Sequence, residues 1–167
     1  MAESLRRKKK KKRKRNLLVD YLQYLALRVL VAFLYLLGIK RSLGLARFLG
    51  RLMWDHYHRG RQRALHNLHA SFPDKDEQWI QRTGRRSFEH IVMLAVDVLF
   101  TPRLVRKENW RDYSRYRNTE QTKWLMQEGG GLLLVTGHYG NFEIIGYLMG
   151  LFGFNIYSIA RPLDNRF

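Results

Sequence analysis

The stretch LLLVTGHYGNFE, residues 132–143, decides the fold that we expect. It starts with five apolar or β-branched residues, and such a short run is typical of a strand buried in a parallel sheet. Asn141 can then cap a helix over residues 142–151, and residues 155–160 form a second predicted strand. A strand, a helix and a strand in this order predict an α/β domain whose parallel strands are joined by a right-handed crossover.

The chain upstream of this stretch has the pattern of helices. Apolar residues recur at helical spacing over residues 42–58. A long helix is predicted from Asp74, whose spacing to Glu77 suits an N-cap, to Phe100, two residues before a proline. A short helix follows from Asn118. We therefore expect an N-terminal helical region, followed by the first strand–helix–strand unit of a truncated sheet.

An apolar segment of 21 residues, 17–37, is interrupted only by Asp20, Gln23 and Arg28. As a helix it would be about 31 Å long, close to the thickness of the hydrocarbon core of a bilayer. Its Leu, Val and Phe side chains favour insertion by about 4–8 kcal/mol together, against about 3 kcal/mol for the central arginine. We therefore predict a membrane helix over residues 17–37.

The orientation of this helix is not determined by the sequence. Basic clusters lie on both sides of it, whereas a single span should keep only one such cluster in the cytoplasm. A tilted helix in the membrane interface would remove this conflict. An interfacial helix, a true single span and the core helix of a soluble protein are the three interpretations that the sequence leaves open.

The chain is strongly basic, with 31 Lys and Arg against 14 Asp and Glu and a formal net charge of +17. Ten of the basic residues lie within residues 6–15, so we expect residues 1–16 to form a disordered tail. This charge favours an anionic partner, which could be nucleic acid, acidic lipid or an acidic protein. The sequence has no recognisable nucleic-acid-binding motif, so we expect no nucleic-acid partner. The absence of cysteine excludes a thiol nucleophile and thiolate metal sites.

Candidate chemistry follows the first predicted strand, where His138 lies five residues before Glu143. Active sites of open α/β sheets lie at this end of the strands. A carboxylate in the first turn of a helix can hold an imidazole in one tautomer while the histidine takes up a proton. Gly137 and Gly140 allow a sharp turn around the histidine. The simpler interpretation is a loop histidine and a glutamate favoured by the helix dipole.

A carboxylate interrupts the apolar part of the predicted long helix at Asp97. A buried carboxylate needs a polar partner, because burying an unpaired charge is costly. We expect Asp97 either to pair with an arginine such as Arg85, Arg86 or Arg103, or to shape the substrate site.

Three blocks of sequence resemble one family of enzymes. The block GHYGNFE, residues 137–143, is similar to the first motif of the glycerolipid acyltransferase superfamily, and its setting resembles the lipid A late acyltransferases (lauroyl and myristoyl transferases). ALHNLHASFP, residues 64–73, resembles the block upstream of a long helix in that family, and ARPLDN, residues 160–165, resembles its Arg-Pro block. An N-terminal membrane helix also precedes the catalytic domain there, so residues 38–167 would be the N-terminal part of an acyltransferase domain.

The resemblance implies transfer of a fatty acyl chain from a thioester, on acyl carrier protein or coenzyme A, to a hydroxyl of a glycolipid such as a lipid A precursor. His138 would be the general base and Glu143 its partner. The backbone N–H groups of Gly140 and Asn141 would bind the oxyanion. Tyr139 would line the entrance for the acyl chain.

The resemblance also implies the partners and the location of the protein. Arg161 would bind a phosphate of the donor or the acceptor. No cofactor besides the acyl donor and no metal ion are expected. The partners would be membrane lipids, acyl carrier protein and the glycolipid acceptor, at the cytoplasmic side of the bacterial inner membrane. Members of the family continue beyond the Arg-Pro block, so the chain resembles an N-terminal fragment. The alternative function is an inactive fragment or a non-catalytic protein that binds anionic lipid.

Overall fold

The structure is a computed structural model, and it describes residues 17–118, 120–121, 124–125 and 132–159. The helices whose bounds are described are α1 (Leu17–His56), α2 (His58–Ser71), α3 (Glu77–Leu104), α4 (Trp110–Tyr113) and α5 (Glu143–Leu151). Helix α3 is the central element, because α1, α2 and α5 all pack against it. Most of the short helix predicted from Asn118 lies outside the described residues.

Helix α1 joins the predicted membrane segment to the next predicted helix, and it is kinked at Gly38. This residue has φ 74° and ψ 163°, a conformation that is essentially restricted to glycine. Across the kink, the hydroxyl of Ser42 donates a hydrogen bond to the carbonyl oxygen of Leu34 at 2.9 Å. The end predicted for the first segment at residue 37 is therefore a kink within one longer helix.

The first segment of α1 leaves its apolar side chains exposed. Leu18, Val29 and Leu36 are all exposed, Leu36 to 87%. By length and composition α1 could cross a membrane, since its most apolar stretch of 18 residues has a mean hydropathy of 1.9. Only 6% of that stretch is buried. The core helix of a soluble protein would be mostly buried. The exposure therefore leaves a membrane helix, spanning or interfacial, or a signal sequence near the N-terminus as the interpretations.

Helices α1 and α3 approach each other closely, because glycines lie where they meet. A Cβ atom on Gly50 of α1 would lie 2.5 Å from the Cα atom of Glu89, and one on Gly84 of α3 would lie 2.6 Å from a ring carbon of Trp54. The buried ring of Trp54 also packs edge-on against Phe88, with ring centroids 5.3 Å apart. A larger residue at Gly50 would push the two helices apart, and one at Gly84 would displace the packed ring of Trp54.

The apolar core lies in the same interface. Leu34 and Ala46 of α1 are buried against Val96 and Phe100 of α3. The ring of Tyr35 packs edge-on against that of Phe100, with centroids 5.1 Å apart. This core fixes the second segment of α1, and the end of the first, on one face of α3.

Helix α2 has no counterpart among the helices predicted from sequence. It ends beside the start of α3, where the imidazole of His69 lies 3.1 Å from the carboxylate of Glu77. The rings of Phe72 and Trp79 also pack together, with centroids 5.2 Å apart. These two contacts join the end of α2 to the first turn of α3.

Helix α3 begins and ends later than predicted. Its N-cap is Asp76 and not Asp74, since the carboxylate of Asp76 accepts a hydrogen bond from the backbone N–H of Trp79 at 2.6 Å. At the other end, α3 continues through Pro102 to Leu104. A proline in the last turn removes one N–H donor, and the packing of Leu104 against the apolar core helps to offset that loss.

The predicted α/β sheet is wrong for the residues that the structure describes. Neither residues 132–136 nor residues 155–159 form a strand there, although helix α5 lies between them as expected. A strand is stable only when a neighbouring strand pairs with its backbone and its apolar face is covered. Here Leu133 and Val135 are 89% and 87% exposed. An apolar run indicates a preference for burial, but it does not supply the neighbouring strand, and the described fold is helical.

We expect Gly50→Ala to lower the free energy of unfolding by about 1–3 kcal/mol, because the added methyl group would meet the backbone of Glu89. Gly44→Ala is the matched control in the same helix, since a Cβ there meets no atom within 4 Å. It should leave stability unchanged or raise it by about 0.5–1 kcal/mol, because alanine favours helix over glycine. Urea unfolding in detergent, followed by circular dichroism, measures both. Equal effects of the two substitutions would contradict the close approach of α1 and α3.

Candidate active site

A tight turn precedes helix α5. The backbone N–H of Tyr139 donates to the carbonyl oxygen of Gly137 at 2.9 Å, and Gly140 has φ 59°. Glycine adopts this left-handed conformation without strain. The N-cap of α5 is Phe142 in place of the predicted Asn141, and no side chain caps the helix. The turn, residues 137–141, therefore lies entirely before the helix and presents its own side chains and N–H groups.

The turn borders a groove of about 930 Å³ that also involves α3 and Leu43 of α1. From the turn and the N-cap, residues 138–142 line it. The lining is mostly apolar, with polar and cationic side chains from the first half of α3. The α3 residues that line the groove are Thr83, Arg86, Ser87, His90, Ile91, Met93, Leu94 and Asp97. Their spacing of three and four residues marks one face of the helix, over a length of about 21 Å.

No hydrogen bond or ion pair joins the two residues predicted to act together, His138 and Glu143, within the part of the chain that the structure describes. The exposed imidazole of His138 packs on the ring of Phe142, with centroids 4.4 Å apart and planes at 55°. Glu143 is exposed in the first turn of α5. Among the residues that the structure describes, no ion pair joins Glu143 to the imidazole. The pairing of this histidine with this glutamate therefore stays a prediction.

The backbone N–H groups of Gly140 and Asn141 are available to a ligand. In the described part of the chain, neither donates to another backbone group. Both residues line the groove just before α5, where the partial positive charge at the start of a helix favours an anion. These N–H groups can therefore stabilise negative charge that develops on an oxygen in the groove. The side chain of Tyr139 lines the same groove and is 93% exposed.

The side chain of Asn141 joins the turn to helix α3. Its Nδ2 group donates to Oδ2 of Asp97 at 2.6 Å, and the contact is partly buried. Hydrogen bonds to a carboxylate are roughly twice as strong as those between neutral groups. Further along, the hydroxyl of Tyr147 in α5 donates to the carbonyl oxygen of Val105 at 2.9 Å. The turn and α5 are thus fixed to the second half of α3 and the residue that follows it.

The predicted arginine partner of Asp97 is wrong, because the partner is Asn141. The guanidinium of Arg103 lies instead over the ring of Tyr35, 3.7 Å from its centroid. Asp97 itself lines the groove, and the second interpretation of this residue, that it shapes the substrate site, stays a prediction.

Arg161 and the Arg-Pro block at residues 160–165 lie outside the described residues. The sequence pattern alone also did not single out Arg86, Ser87 and His90 as residues of the groove. They could be found by counting back from Asp97 in steps of three or four residues, because residues at that spacing lie on the same face of α3. That spacing becomes informative only once the face that packs on the turn is known.

Comparison with protein families identifies the chain. The family model described as bacterial lipid A biosynthesis acyltransferase matches residues 8–167. Neither the curated proteins nor the solved structures give a significant match. The matched range contains the turn, the groove and the GHYGNFE block, so the family expected from that block is confirmed. The chain belongs to the bacterial lipid A biosynthesis acyltransferase family.

Proposed function

We propose that the protein transfers a fatty acyl chain from a thioester, on acyl carrier protein or coenzyme A, to a hydroxyl of a glycolipid such as a lipid A precursor. Family membership supports acyltransferase activity in lipid A biosynthesis. The observation that carries the detailed proposal is the position of His138, which is exposed in a turn that lines a mostly apolar groove. A groove of this size suits a lipid-like substrate with a few polar contacts.

In this proposal His138 is the general base. A hydroxyl is a poor nucleophile until a base takes its proton, and a positioned imidazole typically accelerates such a step by about 10²–10⁴-fold. The hydroxyl oxygen forms a bond to the thioester carbonyl carbon, and the C–S bond then breaks. The imidazolium returns the proton to the leaving thiolate. Glu143 stabilises the imidazolium, which requires its side chain to turn towards His138 when substrate binds.

Three further groups complete the proposed site. The backbone N–H groups of Gly140 and Asn141 bind the oxyanion that forms on the carbonyl oxygen, supported by their place before α5. Tyr139 lines the path of the acyl chain, supported by its position in the groove. Arg161 is proposed from the family resemblance alone to bind a phosphate of the donor or the acceptor.

The groove also contains a cationic side chain that suits the phosphate of the acyl donor. Acyl carrier protein and coenzyme A both carry the acyl chain on a phosphopantetheine arm, which contains an anionic phosphate. Arg86 and His90 lie one turn apart on α3, and both line the groove. The guanidinium of Arg86 is suited to that phosphate, because it can donate two parallel hydrogen bonds.

We propose that the protein works at the cytoplasmic side of the bacterial inner membrane, with the first segment of α1 as its membrane helix. The exposed apolar side chains of residues 17–36 support attachment to a membrane, whereas the inner membrane and its cytoplasmic side are proposed from the family resemblance. The alternative is a non-catalytic protein that binds anionic lipid, or an inactive fragment. That alternative keeps α1 as the membrane helix but predicts that the chain transfers no acyl group, with or without His138.

We expect His138→Ala to lower the turnover of acyl transfer by about 10²-fold or more, with little change in donor binding, because the base is lost. Glu143→Gln should cost less, since the imidazole remains while its orientation is no longer held. The double variant should be hardly worse than His138→Ala. The measurement is transfer of a labelled acyl group from acyl carrier protein to a lipid A precursor.

Two results of that assay would contradict the proposed base. The first is a His138→Ala protein with near-normal turnover. The second is a pair of independent losses that simply multiply in the double variant, because residues that act as a unit are not additive.

Arg86→Gln should raise the KM for the acyl donor by about 10-fold with little change in kcat, because it removes a charge-assisted contact to the phosphate. Arg85→Gln is the matched control, since it removes the same charge at an exposed neighbouring position that does not line the groove. If both substitutions raise KM equally, the effect comes from net charge, and the assignment of Arg86 to the donor phosphate is wrong.

The protein should stay in the membrane fraction when membranes are washed with high salt. Salt screens the basic tail, but it does not weaken the apolar contact of residues 17–37 with lipid. Centrifugation after the wash, with blotting of the pellet and supernatant, measures this. Recovery of most of the protein as soluble monomer would show that charge alone holds it at the membrane.

A further inference from the structure

One long-range polar contact connects the turn at His138 to the helical body. Asn141 and Asp97 are 44 residues apart in sequence, and their side chains are 2.6 Å apart at Nδ2 and Oδ2. A carboxylate can only accept a hydrogen bond, so the chemistry of Asp97 determines which end of the Asn141 amide faces it. The contact thus fixes both the position and the orientation of a side chain in the turn.

We propose that Asp97 is a positioning residue, which acts through Asn141 to hold the turn 137–141 against α3. In this arrangement the N–H groups of Gly140 and Asn141 keep a constant position relative to the groove. His138, three residues before Asn141, is held by the same contact. The functional part of this proposal rests on the proposed acyl transfer, whereas the structural part does not.

The remaining polar contacts of this region show why Asp97 is needed. The bond between Tyr147 and Val105 fixes α5 beyond the turn, and the bond between Tyr139 and Gly137 is internal to the turn. Within the described residues, only the Asn141 bond to Asp97 joins a side chain of the turn to α3. Loss of this bond should therefore loosen the turn while leaving α5 and the helical body in place.

The amide of Asn141 also has an unusual feature, an unpaired buried acceptor, which costs free energy of folding. Its Oδ1 atom is buried without a hydrogen-bond partner among the described residues, and buried acceptors are normally paired. An asparagine that only filled space would be replaced at no loss by an apolar residue of similar size. The bond to Asp97 gives a reason for an amide at this position. The carboxylate of Asp97 requires the N–H donor of the amide, and the gain from that bond offsets the cost of the unpaired Oδ1 acceptor.

A swap of the two side chains tests the contact. Asn141→Asp places two carboxylates against each other, so the turn should detach from α3. Asp97→Asn keeps a neutral hydrogen bond and should have a small effect. The double variant Asp97→Asn with Asn141→Asp restores one carboxylate and one amide in reversed positions, so it should recover most of what Asn141→Asp loses. Asp112→Asn, an exposed carboxylate on α4, is the control for loss of one negative charge.

Two readouts separate the structural part from the functional part. The first is limited proteolysis of the complete chain in detergent with chymotrypsin, which cleaves after aromatic residues such as Tyr139 and Phe142, with the fragments identified by mass. Asn141→Asp should speed cleavage in the turn by about 10-fold or more, because a protease needs a locally opened segment, and the swap should reverse this. The second is acyl transfer, in which Asn141→Asp should lower kcat by about 10- to 100-fold at nearly unchanged KM and unchanged thermal midpoint.

Each outcome decides the proposal. Unchanged cleavage of the turn in Asn141→Asp, or a swap that recovers neither readout, overturns it, since the contact then does not hold the turn. A swap that recovers resistance to cleavage but not kcat shows that Asp97 holds the turn while Asn141 acts directly on substrate, which overturns the positioning role. If His138→Ala keeps full turnover while cleavage behaves as expected, the contact stands and the proposed function fails.

Discussion

At Gly50 the backbone of α1 comes so near to Glu89 of α3 that no side chain fits between them. The same exclusion recurs at Gly84, where the ring of Trp54 occupies the space that a Cβ would need. This close approach determines how far apart the two helices lie. The distance between them in turn decides whether Leu34, Ala46, Val96 and Phe100 can meet as a core, because apolar side chains gain by close packing only when no void remains.

The same constraint determines which way α3 faces the rest of the molecule. The face with Gly84, Val96 and Phe100 meets α1, and the face that ends at Asp97 is left to line the groove. Because successive residues of a helix are about 100° apart, a shift of one residue in this packing would rotate the carboxylate of Asp97 by that angle relative to the turn that carries Asn141. The hydrogen bond to Asn141 is then possible only while the glycines keep the register of α1 against α3.

The sequence predicted the local elements better than the contacts between them. The ends of periodic apolar patterns located the interruption near Gly38, the long helix α3 and the helix α5, since these depend on neighbouring residues. The strands at 132–136 and 155–159 were wrong, because an apolar run cannot show whether a partner strand pairs with it. Helix α2 was missed because its sequence is largely polar, and it is held by contacts with the start of α3.

For the site, the pattern predicted the turn and its histidine, but it could not predict the partner of Asp97. An acid in an apolar helix suggests an arginine, because opposite charges attract. The structure pairs it instead with the amide of Asn141, 44 residues away. Such a choice depends on which residue the fold brings near, and the spacing of residues along one helix carries no information about that.

The kink at Gly38 has a consequence for where catalysis takes place. Leu43, which lines the groove, lies five residues beyond it, or about 8 Å along the helix. With the first segment of α1 in the bilayer, as proposed, the groove opens at the depth of the lipid headgroups. A glycolipid could then expose its sugar to His138 while its existing acyl chains remain among the lipid tails. Because Leu34 and Tyr35 hold the membrane side of the kink on α3, the groove keeps a constant height relative to the first segment of α1.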